Sequence, residues 1–291
     1  MKKESFGHLI AFFTVFIWGL TFVSTKVLLS AFSPAEILFI RFLLGFIALF
    51  LIYPKTAKIF KVKDELLFAA AGLFGICLYL LLENTALSYT YASNVGMLVS
   101  ISPFISALLA YLFLKDEKLN FLFFAGMLLA LTGVSFIIFN GAFMLKIKPT
   151  GDILALLAAV SWAFYSLFVK KISFLNIHPI QSTRKIFFYG LIFTLPYLLY
   201  TGVDVELESF LNIKNIGNLL FLGFGASALC FVTWSYAVNI LGTVKTSIYI
   251  YFIPVMTVIS SIIILKEKLT FYSIIGIILI ILGLFISNKK H

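Results

Sequence analysis

Apolar residues fall in ten long runs along this chain, at 7–28, 34–53, 66–84, 91–114, 120–140, 152–170, 180–200, 216–238, 245–265 and 270–288, and polar residues gather in the short gaps between them. The stretch 246–265 carries no charge from end to end. A helix that crosses a bilayer takes roughly 20 mostly apolar residues. A spanning β-strand would instead alternate apolar and polar positions, and these runs do not alternate. The pattern predicts an all-α membrane protein with ten transmembrane helices.

The pattern is also written twice. Gly7, Trp18 and Lys26 recur as Gly151, Trp162 and Lys170, at an offset of 144. Pro34 recurs as Pro179, and Ala86 and Pro103 recur as Ala237 and Pro254 at an offset of 151. Gly126 and Gly133 return as Gly276 and Gly283. Residues 1–140 thus form one five-helix unit and 151–291 a second, joined by a stretch too short to be a flexible linker. Five is odd, so the second unit enters the membrane from the opposite face. The expected architecture is two inverted repeats about a pseudo-two-fold axis, an arrangement that encloses a site between the halves.

Hydrophobic residues make up 62% of the chain and charged residues 12%, beyond what a soluble core of this length requires. The net charge of +10 raises nucleic acid as a partner, but its distribution says otherwise. With the N-terminus inside, fifteen Lys/Arg residues fall on the cytoplasmic side and six outside, with Arg41 within a span. That bias orients both termini toward the cytoplasm of the cell membrane, and the basic excess attracts anionic headgroups of the lipid bilayer. Lys2 and Lys3 before an apolar run suggest a signal peptide, but no small-residue cleavage site follows and nine further spans do. Cys77 and Cys230 both sit in apolar runs, which makes neither a disulfide framework nor a metal site.

Several polar and aromatic residues stand inside the runs. Thr14, Trp18, Thr21 and Thr25 share one helical face, and the second unit places Trp162, Tyr165 and Ser166 on the matching face. Such a stripe reads either as interhelical hydrogen bonding or as a cavity wall; mid-span Trp is unusual, because Trp favours the interfaces. Tyr79 and Glu83 are i, i+4 neighbours with Asn84 beside them, and their counterparts are Cys230, Trp234 and Ser235. Glu83 reads as a carboxylate that binds a substrate amine or a coupling proton, or as an interfacial group paired with Lys26. Arg41, about 10 Å into its helix, reads as a snorkelling anchor with carbonyls or Glu36 as partners, or as a carboxylate site. Pro103 and Pro254 each stand inside the fourth helix of their unit, where a missing backbone bond kinks the chain; they are the candidate gating hinges. Asn94 lies on the same helix face as Met97 and Ile101, and Tyr249 on the equivalent face of the second unit. The paired glycines of the fifth helices suit close packing or a homodimer contact. There is no Gly-rich phosphate loop, no His-Glu-x-x-His and no carboxylate cluster, so no cofactor or metal is expected.

Taken together, Trp18-Gly19, Ser33-Pro34, Arg41-Phe42, the run Ala86–Ser93, Ser102-Pro103 and Leu114–Glu117 in the first unit, with Trp162, Pro179, Pro254 and Leu265–Leu269 in the second, resemble the EamA family of the drug/metabolite transporter superfamily. The resemblance covers the whole chain. It implies a secondary transporter, not an enzyme, working by alternating access on small molecules, often in efflux of amino acids and related metabolites. On that reading Trp18, Trp162, Tyr165, Trp234 and Tyr249 wall the cavity, and Thr21, Asn94 and Ser166 bind the polar end of the substrate. The alternative is an organic-cation transporter, with the aromatic walls supplying cation–π attraction and Glu83 the counter-ion. A lipid-handling scaffold is a third class.

Overall fold

A computed structural model of the chain describes residues 2–56, 61–89, 95, 98–114, 121–139, 149–202, 207–256, 259 and 270–287. Among these residues the ordered structure is helical, with no strand. The first half supplies α1 (Lys2–Leu28), α2 (Pro34–Ile52), α3 (Val62–Gly72), α4 (Tyr79–Tyr89), α5 (Ser102–Phe113) and α6 (Phe121–Phe139). The second supplies α7 (Pro149–Ser173), α8 (Pro179–Thr201), the short α9 (Leu207–Leu211), α10 (Ile213–Leu220), α11 (Cys230–Leu241), α12 (Thr243–Ser247) and α13 (Phe271–Ser287). Five described stretches are long and apolar enough to cross a bilayer: Lys3–Thr21, Pro34–Ile52, Val62–Ala86, Pro149–Ser173 and Ile213–Leu241. Shorter apolar helices cover Ser102–Phe113, Phe121–Ile137 and Phe271–Ser287. Large side chains such as Leu51, Leu199 and Phe285 stand exposed on the outside of the bundle, where a bilayer covers what water would penalise. The chain is a multi-pass membrane protein.

Helix starts follow local chemistry. Ser33 caps α2, its hydroxyl accepting from the Glu36 N–H while the Glu36 carboxylate accepts from the Ser33 N–H at 2.7 Å. Both orphan donors are satisfied at once, and Pro34 follows with its φ already helical. Glu36 is therefore a capping residue, and no ion pair joins it to Arg41 among the described residues. Pro179 opens α8 in the same way behind His178.

Each proline stands where the regular α-helix is interrupted. A turn at Ser100–Ile101 precedes Pro103, which stands in the first turn of α5. A tight 3-10 segment, Ile248–Phe252, ends two residues before Pro254. In each case the proline ring excludes the carbonyl that a continuous helix would place four residues back.

Sequence periodicity gave no warning of two wider breaks. A π-helical segment, Leu73–Leu78, joins α3 to α4, and another, Phe221–Leu229, joins α10 to α11. They overlap when one half is shifted onto the other by the 151-residue offset of Ala86 and Ala237. The glycines Gly72, Gly75, Gly223 and Gly225 that gather there were the available signal.

Contacts between the halves come in reciprocal pairs. A Cβ on Gly126 would meet Gly283 O at 2.5 Å, and one on Gly133 would meet Gly276 O at 2.6 Å. Gly72 lies equally close to Gly190 N, at 2.7 Å from such a Cβ, and Gly45 approaches Gly223 O at 3.2 Å. Gly126 and Gly133 thus close on α13 of the same chain. The glycine faces offered by the sequence for a homodimer are already covered.

Candidate functional site

The bundle centre is built from aromatic rings of both halves. Trp18 of α1 stands 5.3 Å from Trp162 of α7 and 5.1 Å from Trp234 of α11, measured between ring centroids. Trp162 in turn meets Tyr79 and Tyr165, each at 5.0 Å. Phe231 packs edge-on to Trp18 at 5.7 Å and carries the cluster outward to Phe42 and Phe187. Gly75 makes the cluster's approach to the π segment tolerable, since a Cβ there would sit 2.2 Å from the Tyr165 ring.

The rings pack against one another; they do not wall an open chamber as expected. Trp234 and Tyr165 are fully buried and Trp162 is 5% exposed. The Trp18 indole donates from Nε1 to Ala226 O at 3.0 Å, whereas Nε1 of Trp162 and of Trp234 are buried with no partner. The hydroxyl of Ser166 is buried in the same condition. A buried donor without an acceptor costs about 1–3 kcal/mol, so such groups call for an explanation.

The charged pair lies beside this cluster. Arg41 donates from Nε to Ser227 Oγ at 3.0 Å, and its charge acts on Glu83, which has Tyr79 as hydrogen-bonding neighbour. Ser227 stands in the second π segment, next to the Ala226 that receives Trp18. Arg41 therefore joins the centre and does not snorkel to an interface. The second half has Ile186 at the position that the 145-residue shift of Pro34 to Pro179 makes equivalent to Arg41. Arg184 instead caps the C-terminal end of α2, reaching Tyr53 O at 2.5 Å and Lys55 O at 2.8 Å.

The remaining expected site residues have local partners or lie outside the described residues. Thr21 donates to Trp18 O at 2.7 Å within its own helix. Tyr249 packs against the core cluster that holds the tryptophans, and its hydroxyl shares a 2.8 Å hydrogen bond with His8 Nδ1. Asn94 and Met97 lie outside the described residues, as does the side chain of Lys26. Cys77 and Cys230 are free and buried.

The two ends of the bundle differ. At the end where α1 begins, Lys245 Nζ meets Glu4 Oε1 at 2.9 Å, Tyr249 bonds His8, and Gly7 is pressed against Ile240 and Leu241. At the opposite end a cavity of about 830 Å³ opens between the α1–α2 turn, the end of α4 and the end of α8. Ser30, Ser33, Asn84, Thr85, Tyr197 and Thr201 are among its lining residues. Sequence reasoning singled out Asn84 only as the neighbour of Glu83; the other hydroxyls lie in loops and helix ends, where nothing in the pattern marks them.

A helical membrane bundle with reciprocal half-to-half contacts, broken helices and a one-ended cavity is the architecture of a solute transporter. The model of the EamA-like transporter family matches residues 5–139 and again 149–289, and the chain belongs to that family. It is 27% identical to an uncharacterized transporter of Archaeoglobus fulgidus, over 98% of each chain. It is 29% identical to the "Probable amino-acid metabolite efflux pump" of Salmonella typhimurium, over 98% of this chain and 95% of the other. A solved crystal structure superposes with a TM-score of 0.82 over 98% of each chain, at 19% identity, which speaks to the fold alone.

Proposed function

We propose that the chain is a secondary transporter of small amphipathic metabolites, amino acids foremost, working in efflux by alternating access. The observation that carries this reading is the asymmetry between the ends. One end of the bundle is tied by Glu4–Lys245 and His8–Tyr249, while the other holds a cavity of drug-like size. The name of the Salmonella typhimurium relative supports the amino-acid class.

The reciprocal glycine contacts support ten spans arranged as two inverted five-helix units, residues 1–140 and 151–291. The bias of basic residues supports cytoplasmic termini, and on that reading the tied end is the inner one. The site comprises Trp18, Tyr79, Glu83, Trp162, Tyr165, Ser166 and Trp234, with Arg41 added. Pro103 and Pro254 act as hinges where their helices already break, and Tyr249 belongs to the inner closure. The organic-cation alternative is disfavoured by Arg41, because a second cation in this centre meets like-charge repulsion.

Counterflow of labelled amino acids in proteoliposomes tests the reading. Uptake that is saturable and competed by the unlabelled solute is the expected result. Vesicles that scramble lipid while moving no solute would favour the scaffold class and sink the transporter.

A further inference from the structure

Arg41 and Glu83 are opposite charges in the bundle interior that act on each other without touching. Among the described residues the ion pairs within 4 Å are Lys185–Glu65 and Lys245–Glu4; Arg41–Glu83 is not one of them. Both side chains are largely enclosed by the bundle, with part of their surface left uncovered. Arg41 uses Nε for Ser227, which leaves its terminal nitrogens as a fork of donors. Trp162, whose ring meets that of Tyr79 at 5.0 Å, and Trp234 each carry a buried indole N–H with nothing to accept from it.

We infer that this centre reads a zwitterion, with the carboxylate of the solute on the Arg41 fork, its ammonium on Glu83, and its side chain against the tryptophan cluster. The inference rests on the transporter reading and deepens it. Two buried charges of opposite sign that lack direct contact each carry a desolvation cost. A single direct salt bridge would relieve both, and the protein does not make it. A net-neutral solute with a charge at each end relieves both at once. A singly charged ion relieves one and leaves the other uncompensated in a low-dielectric site. The carboxylate can accept two parallel bonds from a guanidinium, and it brings the acceptor that the indole donors lack. Both charges come from the first half: the 151-residue shift that carries Ala86 to Ala237 puts Trp234 opposite Glu83, and the 145-residue shift that carries Pro34 to Pro179 puts Ile186 opposite Arg41. The solute is therefore held in one orientation even though the scaffold is close to symmetric.

The test is a panel of leucine, phenylalanine and threonine, each offered as the free amino acid, the primary amide and the N-acetyl acid, in proteoliposomes of the full chain. The wild type is expected to move at least one free amino acid and to move its amide and its N-acetyl form about tenfold less. Arg41→Gln should lose the preference for the free acid over the amide, and Glu83→Gln the preference for the free amine over the N-acetyl form. Should either variant fail to fold, the wild-type panel still decides. An amide or N-acetyl acid carried as fast as its parent overturns the zwitterion and leaves the transporter intact. No movement of any of the nine solutes overturns both.

Discussion

The Trp18 indole nitrogen donates to the carbonyl of Ala226 across the junction of the two halves, at 3.0 Å, inside a π-helical turn. A bond beside its counterpart Trp162 runs the other way: Ser161 Oγ of α7 donates to Phe74 O at 2.7 Å, inside the π turn of the first half. A π turn shifts backbone bonds from i−4 to i−5 and loosens the ladder locally. Each half thus sends a side chain to a widened turn of the other.

Trp18→Phe removes the donor and leaves the Ala226 carbonyl buried without it. The expected loss is about 1–3 kcal/mol, read as a lower midpoint of thermal unfolding in detergent. Trp162→Phe removes a donor that has no acceptor, so its stability should change less than that of Trp18→Phe. Equal losses for the two variants would mean that ring packing, and not the hydrogen bond, sets the cost.

Gly133→Leu should be among the most damaging changes at any glycine. A Cβ alone would stand 2.6 Å from Gly276 O, and overpacking typically costs about 1–3 kcal/mol. Gly217→Ala provides the contrast, because nothing lies within 4 Å of its added Cβ. Side-by-side melting curves of the two check the claim, with Gly217→Ala expected to match the wild type.

Glu4→Gln should barely alter stability, since partly exposed ion pairs contribute about 0–1 kcal/mol. Its effect is expected on accessibility. A cysteine placed at Tyr249 should react faster with a thiol reagent from the N-terminal side when the Glu4–Lys245 tie is gone. The swapped pair Glu4→Lys with Lys245→Glu should slow that labelling again; a swapped pair that labels as fast as Glu4→Gln would show that the tie does not hold the end shut.

Thr85 lines the cavity and Ala226 is fully buried. With Cys77 and Cys230 replaced by serine, a cysteine at Thr85 should be labelled by a membrane-impermeant maleimide in the resting protein, and one at Ala226 should not. Saturating solute should slow the Thr85 reaction if closure of that end accompanies binding.

Much of the architecture was legible beforehand. Ten apolar runs, the landmark offsets and the helix starts at Ser33-Pro34 and Pro179 needed only composition, length and capping chemistry. That Gly126 and Gly133 serve close packing was legible too, but their partners, Gly283 and Gly276 of the same chain, came from the structure. Arg41 was harder. Its depth was countable, but a long basic side chain at that depth can reach an interface or turn inward, and neighbours alone decide between them. The partner of Thr21 was likewise not legible: its hydroxyl bonds its own backbone, an option open to any helical threonine.

The sequence by itself determined how many apolar segments there are, where they begin, and that two units share one pattern, because these depend on local periodicity and on the thickness of a bilayer. Tertiary structure alone decided that the tryptophans close on each other, that two helices widen into π turns, and that Arg41 and Glu83 occupy one centre without touching. Those outcomes depend on side chains 42 to more than 200 residues apart competing for the same interior volume, which no local pattern encodes.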